Sequence, residues 1–169
     1  GKSGELVLKP IAREKTQLGK GAWIAIGAGI VALPVLALIL RGIATMEMRQ
    51  AIATVGVFLL APPFVIAGYW FLKNDELEPY RGWALWIRTA ICCSIYVLCW
   101  VGFVTLVPPE WKNEFWKWAF LGPAFGVGGA TAAFACFDLD FGSGFFHFTF
   151  YAGGTALLGL LMGLPLLGA

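Results

Sequence analysis

The sequence predicts an all-α integral membrane protein, a compact bundle of about five transmembrane helices. Three observations lead to that class. Five apolar stretches, residues 21–40, 51–72, 83–107, 118–137 and 145–167, each approach the roughly 20 residues that a helix needs to cross the hydrocarbon core. The chain is 59% hydrophobic and only 13% charged, about half the charge of an ordinary soluble domain. The charge is also segregated: of twelve Lys and Arg, only Arg88 lies clearly inside a span, and Arg41 stands at the end of the first. A soluble domain of 18.3 kDa has no interior that could enclose five such helices.

In chain order, residues 1–20 form a polar, basic tail, and residues 21–169 form the membrane domain. No short apolar region with a small-residue cleavage site separates the two, so the tail does not read as a signal peptide. The first span carries Pro34 at its middle and the second carries Pro62-Pro63. Each proline removes a backbone donor and crowds the preceding turn, which predicts kinks at both places. The third span holds Arg88 together with Cys92, Cys93 and Cys99; Cys136 lies in the fourth. Without a Cys-x-x-Cys spacing these four read as small apolar residues rather than as disulfide or metal ligands. Spans four and five contain Gly122-x-x-x-Gly126 and Gly159-x-x-x-Gly163, a spacing that lets helix backbones approach closely where lipid offers no hydrophobic drive. These glycines mark helix packing, either within the chain or between chains. The connections 41–50, 73–82, 108–117 and 138–144 are too short for a soluble domain.

The Lys and Arg distribution sets an expected orientation. With the amino terminus in the cytoplasm, that side carries Lys2, Lys9, Arg13, Lys15, Lys20, Lys73, Arg81 and the shallow Arg88. The other side carries Arg41, Arg49, Lys112 and Lys117, half as many. The positive-inside rule then places the carboxy terminus on the opposite side. Trp23, Trp70, Tyr80, Trp83, Trp111 and Trp118 fall near span ends, at the headgroup level that amphipathic rings prefer.

This topology gathers polar residues at one face. Arg88 lies about 7.5 Å inside the third span at 1.5 Å per residue, and Asp138 and Asp140 close the fourth span at the same face. Ser143, His147, Tyr151 and Thr155 recur every fourth residue and so form one inclined ridge along span five. An intramembrane charge is by default a functional candidate. Snorkelling by Arg88 and capping or solvation of the loop by Asp138 and Asp140 account for the same residues structurally. His147, the only histidine, has the chemistry of a proton relay, a metal ligand or an axial ligand to a tetrapyrrole. A hydrogen bond across helices is the plainer reading, and no spacing here specifies a metal or cofactor. Ser143 and His147 can touch, but no oxyanion hole or nucleophile turn accompanies them.

Function is therefore constrained rather than specified. The net charge of +2 is too small and too scattered for a nucleic-acid partner. The partners expected are the lipid bilayer and either copies of this chain or other membrane subunits. The first expectation is a non-catalytic, oligomerising or scaffolding subunit of a membrane complex. The alternative is a transporter or channel whose polar path uses Arg88, Asp138, Asp140 and His147. An intramembrane enzyme comes third.

Overall fold

The computed structural model describes residues 20–73, 79–112 and 115–165; the basic tail expected over residues 1–20 therefore lies almost wholly outside the described residues. Those described form helices and no strand: α1 Lys20–Ile43, α2 Met46–Leu72, α3 Gly82–Leu106, the short α4 Pro109–Lys112, α5 Phe115–Phe137 and α6 Phe141–Leu161. Five of them are long and apolar enough to cross a membrane. The chain is an all-helical protein of the integral-membrane type.

Helix ends are set by local chemistry that outweighs hydropathy. The first connection shrinks to a tight turn because Thr45 caps α2, its Oγ1 accepting from the Met48 N–H at 3.4 Å. The polar run from Glu47 to Gln50 thus belongs to the first turns of α2 rather than to a loop. The fifth span begins at Phe141, four residues earlier than hydropathy suggests, because Asp140 caps α6 through the Ser143 N–H. It ends at Leu161, short of 167. Gly163 takes φ 74°, its N–H bonds the Leu160 carbonyl, and the Leu164 N–H reaches back to Gly159. This is a glycine-terminated helix end, in which the left-handed residue closes the last carbonyls. Gly163 thus stops the helix instead of smoothing its side.

Four helices close a ring in the order α2, α3, α5, α6, with α1 outside against α6 and α2. The core runs down the middle. Val57, Ala61, Val65 and Tyr69 form one i+4 ridge of α2, facing Cys92 and Tyr96 of α3, Ala133 and Cys136 of α5, and Tyr151 of α6. The outside is apolar in turn. Ile24, Leu59, Phe71 and Leu106 are 70% or more exposed, a surface suited to hydrocarbon and not to water.

The α5–α6 pair packs closest. A Cβ on Gly144 would meet the Ala130 carbonyl oxygen at 2.7 Å, and one on Gly126 would meet the Phe145 ring at 2.5 Å. A Cβ on Gly122 or Gly159 would meet nothing within 4 Å. Each Gly-x-x-x-Gly pair therefore divides its roles: Gly126 packs inside the bundle, Gly163 ends a helix, and Gly122 and Gly159 face outward.

Gly144→Ala is expected to lower the unfolding free energy by about 1–3 kcal/mol, the cost of overpacking against unyielding backbone. Gly159→Ala should leave it unchanged or raise it by up to about 1 kcal/mol through helix propensity. Reversible unfolding in mixed detergent micelles distinguishes the two, and equal losses would mean that the α5–α6 contact is not the tight one.

Candidate functional site

Helix α6 brings its single histidine to the centre of the ring. Gly68 on α2 provides the space, since a Cβ there would lie 2.9 Å from His147 Cδ2. The imidazole is wholly enclosed, at 0% exposure. Its Nε2 lies 2.9 Å from the Val65 carbonyl oxygen of α2, and its Nδ1 lies 2.6 Å from the Tyr96 hydroxyl of α3. A carbonyl can only accept, so Nε2 carries the proton and donates. In the neutral ring Nδ1 is then the acceptor, and Tyr96 donates to it. One side chain thereby joins three helices and uses both ring nitrogens.

Tyr151, one turn further along α6, extends the same seam. Its hydroxyl donates to the Val57 carbonyl at 3.2 Å, and its ring stacks on Tyr96 with centroids 5.4 Å apart. Val57 directly precedes Phe58 and Leu59, the residues whose carbonyls lose their helical donors to Pro62 and Pro63. Phe148 meets Tyr96 edge-on at 5.0 Å, and Phe137 flanks the imidazole at 5.5 Å. Thr89 Oγ1, two turns before Tyr96 on α3, is enclosed without a hydrogen-bond partner.

A second cluster forms where α2 and α5 end and α3 begins. The Arg88 guanidinium lies over the Tyr80 ring, 3.9 Å from its centroid, and Nη1 donates to the Cys136 carbonyl at 2.6 Å. The Tyr80 hydroxyl donates to Asp138 Oδ2, and the Tyr80 N–H donates to the Tyr69 hydroxyl at 2.7 Å. Asp138 adopts φ 51°, the one left-handed non-glycine conformation among the described residues, as the chain turns out of α5. The bond to Asp138 pushes the Tyr80 phenol above its ordinary value, since ionising it would forfeit the bond beside a carboxylate. Arg88 and Asp138 thus meet through a tyrosine and make no direct ion pair.

Asp140 serves α6. Oδ2 accepts from the Ser143 hydroxyl at 2.6 Å and Oδ1 from the Ser143 N–H at 2.9 Å. These donors hold the Asp140 carboxyl below the usual carboxylate range. Leu72, Phe134, Asp138, Leu139 and Asp140 line a cleft at this face.

The six polar candidates therefore separate into three groups. His147 and Tyr151 share the sealed core, Arg88 and Asp138 share the tyrosine cluster, and Asp140 and Ser143 bond to each other. Among the described residues no three of His, Cys, Asp and Glu converge as a metal site. Sequence reasoning treated Tyr80 as an interfacial ring, passed over Gly68, and had no means of finding the Val65 carbonyl. The i+4 register of Gly68 with Phe64 and Leu72 was the one available hint, since a glycine at such a position can admit a large neighbour. No protein family, no curated protein and no solved structure matches this chain.

Two measurements probe the groups. Tyr96→Phe leaves His147 Nδ1 without a donor and should cost about 1–2 kcal/mol, the upper range for interhelical hydrogen bonds in membranes. The double variant with His147→Phe should lose less than the sum of the single losses. Additive losses would show that the pair is not coupled. For Asp140, a lowered folded pKa means that its contribution is present above the ordinary carboxylate range and disappears as pH falls through the lowered value. Asp140→Ala should therefore reduce thermal stability at neutral pH, with the gap to wild type closing at strongly acidic pH. A constant gap would assign the loss to something other than the ionised cap.

Proposed function

We propose that this chain is a non-catalytic membrane subunit, a scaffolding or oligomerising component that works through its outward helix faces. The observation that carries this reading is the closure of its polar core. His147 spends both ring nitrogens inside the chain, and Tyr96 and Tyr151 spend their hydroxyls there, so the groups best suited to chemistry are used as interhelical bonds. Gly122 on α5 and Gly159 on α6 support an assembly role. Both lie toward the same end of adjacent helices, and both have open space where a Cβ would stand. Another helix can approach closely there.

The proposed setting is a membrane with the amino terminus in the cytoplasm and the carboxy terminus on the other side, following the Lys and Arg asymmetry. Bends at Pro34 and Pro62-Pro63 shape the face that α1 and α2 offer to lipid or a partner. A transporter is the second reading, favoured by the cleft that Asp138 and Asp140 line beside Arg88.

Purification in mild detergent tests the first reading. The particle mass should exceed that of one chain, and Gly122→Leu with Gly159→Leu should reduce it while leaving thermal stability intact. A monomer that conducts protons in reconstituted vesicles, with flux abolished by Asp138→Asn, would replace the subunit reading with the transport one. For orientation, a cysteine substituted at Lys73 should react with an impermeant reagent from the cytoplasmic side only. Reaction from the opposite side would invert the topology.

A further inference from the structure

At the end of the bundle remote from Asp138, two arginines converge, with no carboxylate between them among the described residues. Arg41 lies in the last turn of α1 and Arg49 in the first turns of α2, held together by the tight turn at Ala44 and Thr45. Both reach the carboxy-terminal end of α6. A Cβ on Gly163 would lie 2.9 Å from Arg49 Nη1 and 3.3 Å from Arg41 Nε, so both guanidinium groups pack onto the bare face of Gly163 and stand beside each other. A side chain on Gly163 would push them away.

The described residues offer this pair little negative charge. Arg49 Nη1 donates to the Met162 carbonyl at 2.6 Å, and the carbonyl end of a helix contributes a partial charge of about half a unit. Arg49 Nε is enclosed and has no hydrogen-bond partner. Among the described residues neither arginine pairs with a carboxylate, and Glu47 on the same turn is exposed. Arg41 is exposed and Arg49 partly buried, and two like charges held side by side repel each other unless an anion joins them. An oxyanion with several acceptor oxygens offsets the paired charge, and the planar guanidinium fork is shaped for it. The surroundings suit headgroup depth: Lys117 lies 5.2 Å from the Trp111 ring centre and 5.3 Å from that of Trp116, at the same end of the bundle.

We propose that Arg41 and Arg49 form a binding site for a phosphate oxyanion at this membrane face, with Gly163 as its floor. Anionic phospholipid headgroups and free phosphate share that chemistry. The site stands whether or not the chain assembles with a partner.

The test uses the full chain in lipid discs containing equal parts phosphatidylglycerol and phosphatidylcholine, followed by release into neutral detergent and native mass spectrometry. Wild type should retain phosphatidylglycerol in preference to phosphatidylcholine. Arg41→Gln should weaken that retention about tenfold, as expected for one hydrogen-bonded charge. The Arg41 side chain makes no hydrogen bond to the described residues, so its replacement spares the α6 cap. If Arg41→Gln does not fold, Arg41→Lys keeps the charge without the fork and should still retain phosphatidylglycerol more weakly than wild type. A parallel arm compares thermal stability in phosphate and in chloride at equal ionic strength. Stabilisation by phosphate that Arg41 substitution removes, without lipid selectivity, would support the site and identify its ligand as a soluble anion. Equal retention of both lipids by wild type and variant, with no gain from phosphate, would overturn the proposal and leave Arg49 as a helix cap and Arg41 as a surface charge.

Discussion

His147 joins α2, α3 and α6 through two hydrogen bonds made where no water competes, and the order of the bundle follows from that junction. A polar group stranded in hydrocarbon is costly, so a side chain that satisfies itself only when three helices meet in one register selects that register. Its absolute contribution is small, since interhelical hydrogen bonds in membranes are worth about 1–2 kcal/mol at most. Its specificity is larger, because the alternatives leave a donor or an acceptor unpaired. Gly68 is the steric counterpart of this choice, and Tyr151 repeats the pattern one turn away by donating to the Val57 carbonyl.

The same rule operates at the helix ends. Two C-terminal carbonyls are closed by arginines from other helices: Cys136 of α5 by Arg88, and Met162, just past α6, by Arg49. A cation at a helix carboxy terminus meets both an unpaired acceptor and the negative end of the dipole. Arg88 therefore has a structural use for its intramembrane position, through the carbonyl and the Tyr80 ring. Arg49 has a similar use but brings Arg41 with it, and that surplus of charge distinguishes the two ends of the bundle.

Together these features describe a chain whose interior is occupied with holding itself together. On the proposed reading its capacity to interact lies outside, on lipid-facing apolar surface, on the open glycines of α5 and α6, and at the paired arginines. A subunit that offers shape to a partner and charge to headgroups fits this division, whereas a polar path through the core would have to break bonds that His147, Tyr96 and Tyr151 already make.

The sequence by itself determined the class and the number of spans, because hydrocarbon thickness and the cost of unpaired backbone leave a run of 20 apolar residues few other forms. It also brought Arg88 and Asp138 to one face, since short connections force neighbouring helices to alternate direction. Helix ends were less legible. Thr45, Asp140 and Gly163 act through hydrogen bonds and backbone angles that hydropathy does not register, so hydropathy alone reads the polar turn of α2 as a loop and sets the start of α6 four residues too far along the chain. Only the tertiary structure decided the partners of His147, because the Val65 carbonyl and the space at Gly68 belong to a helix 82 residues away in sequence. It likewise separated Gly126 from Gly122, which share one motif and one helix. Which face of a membrane helix turns inward is set by its neighbours, and where both faces are apolar, composition carries almost no record of that choice.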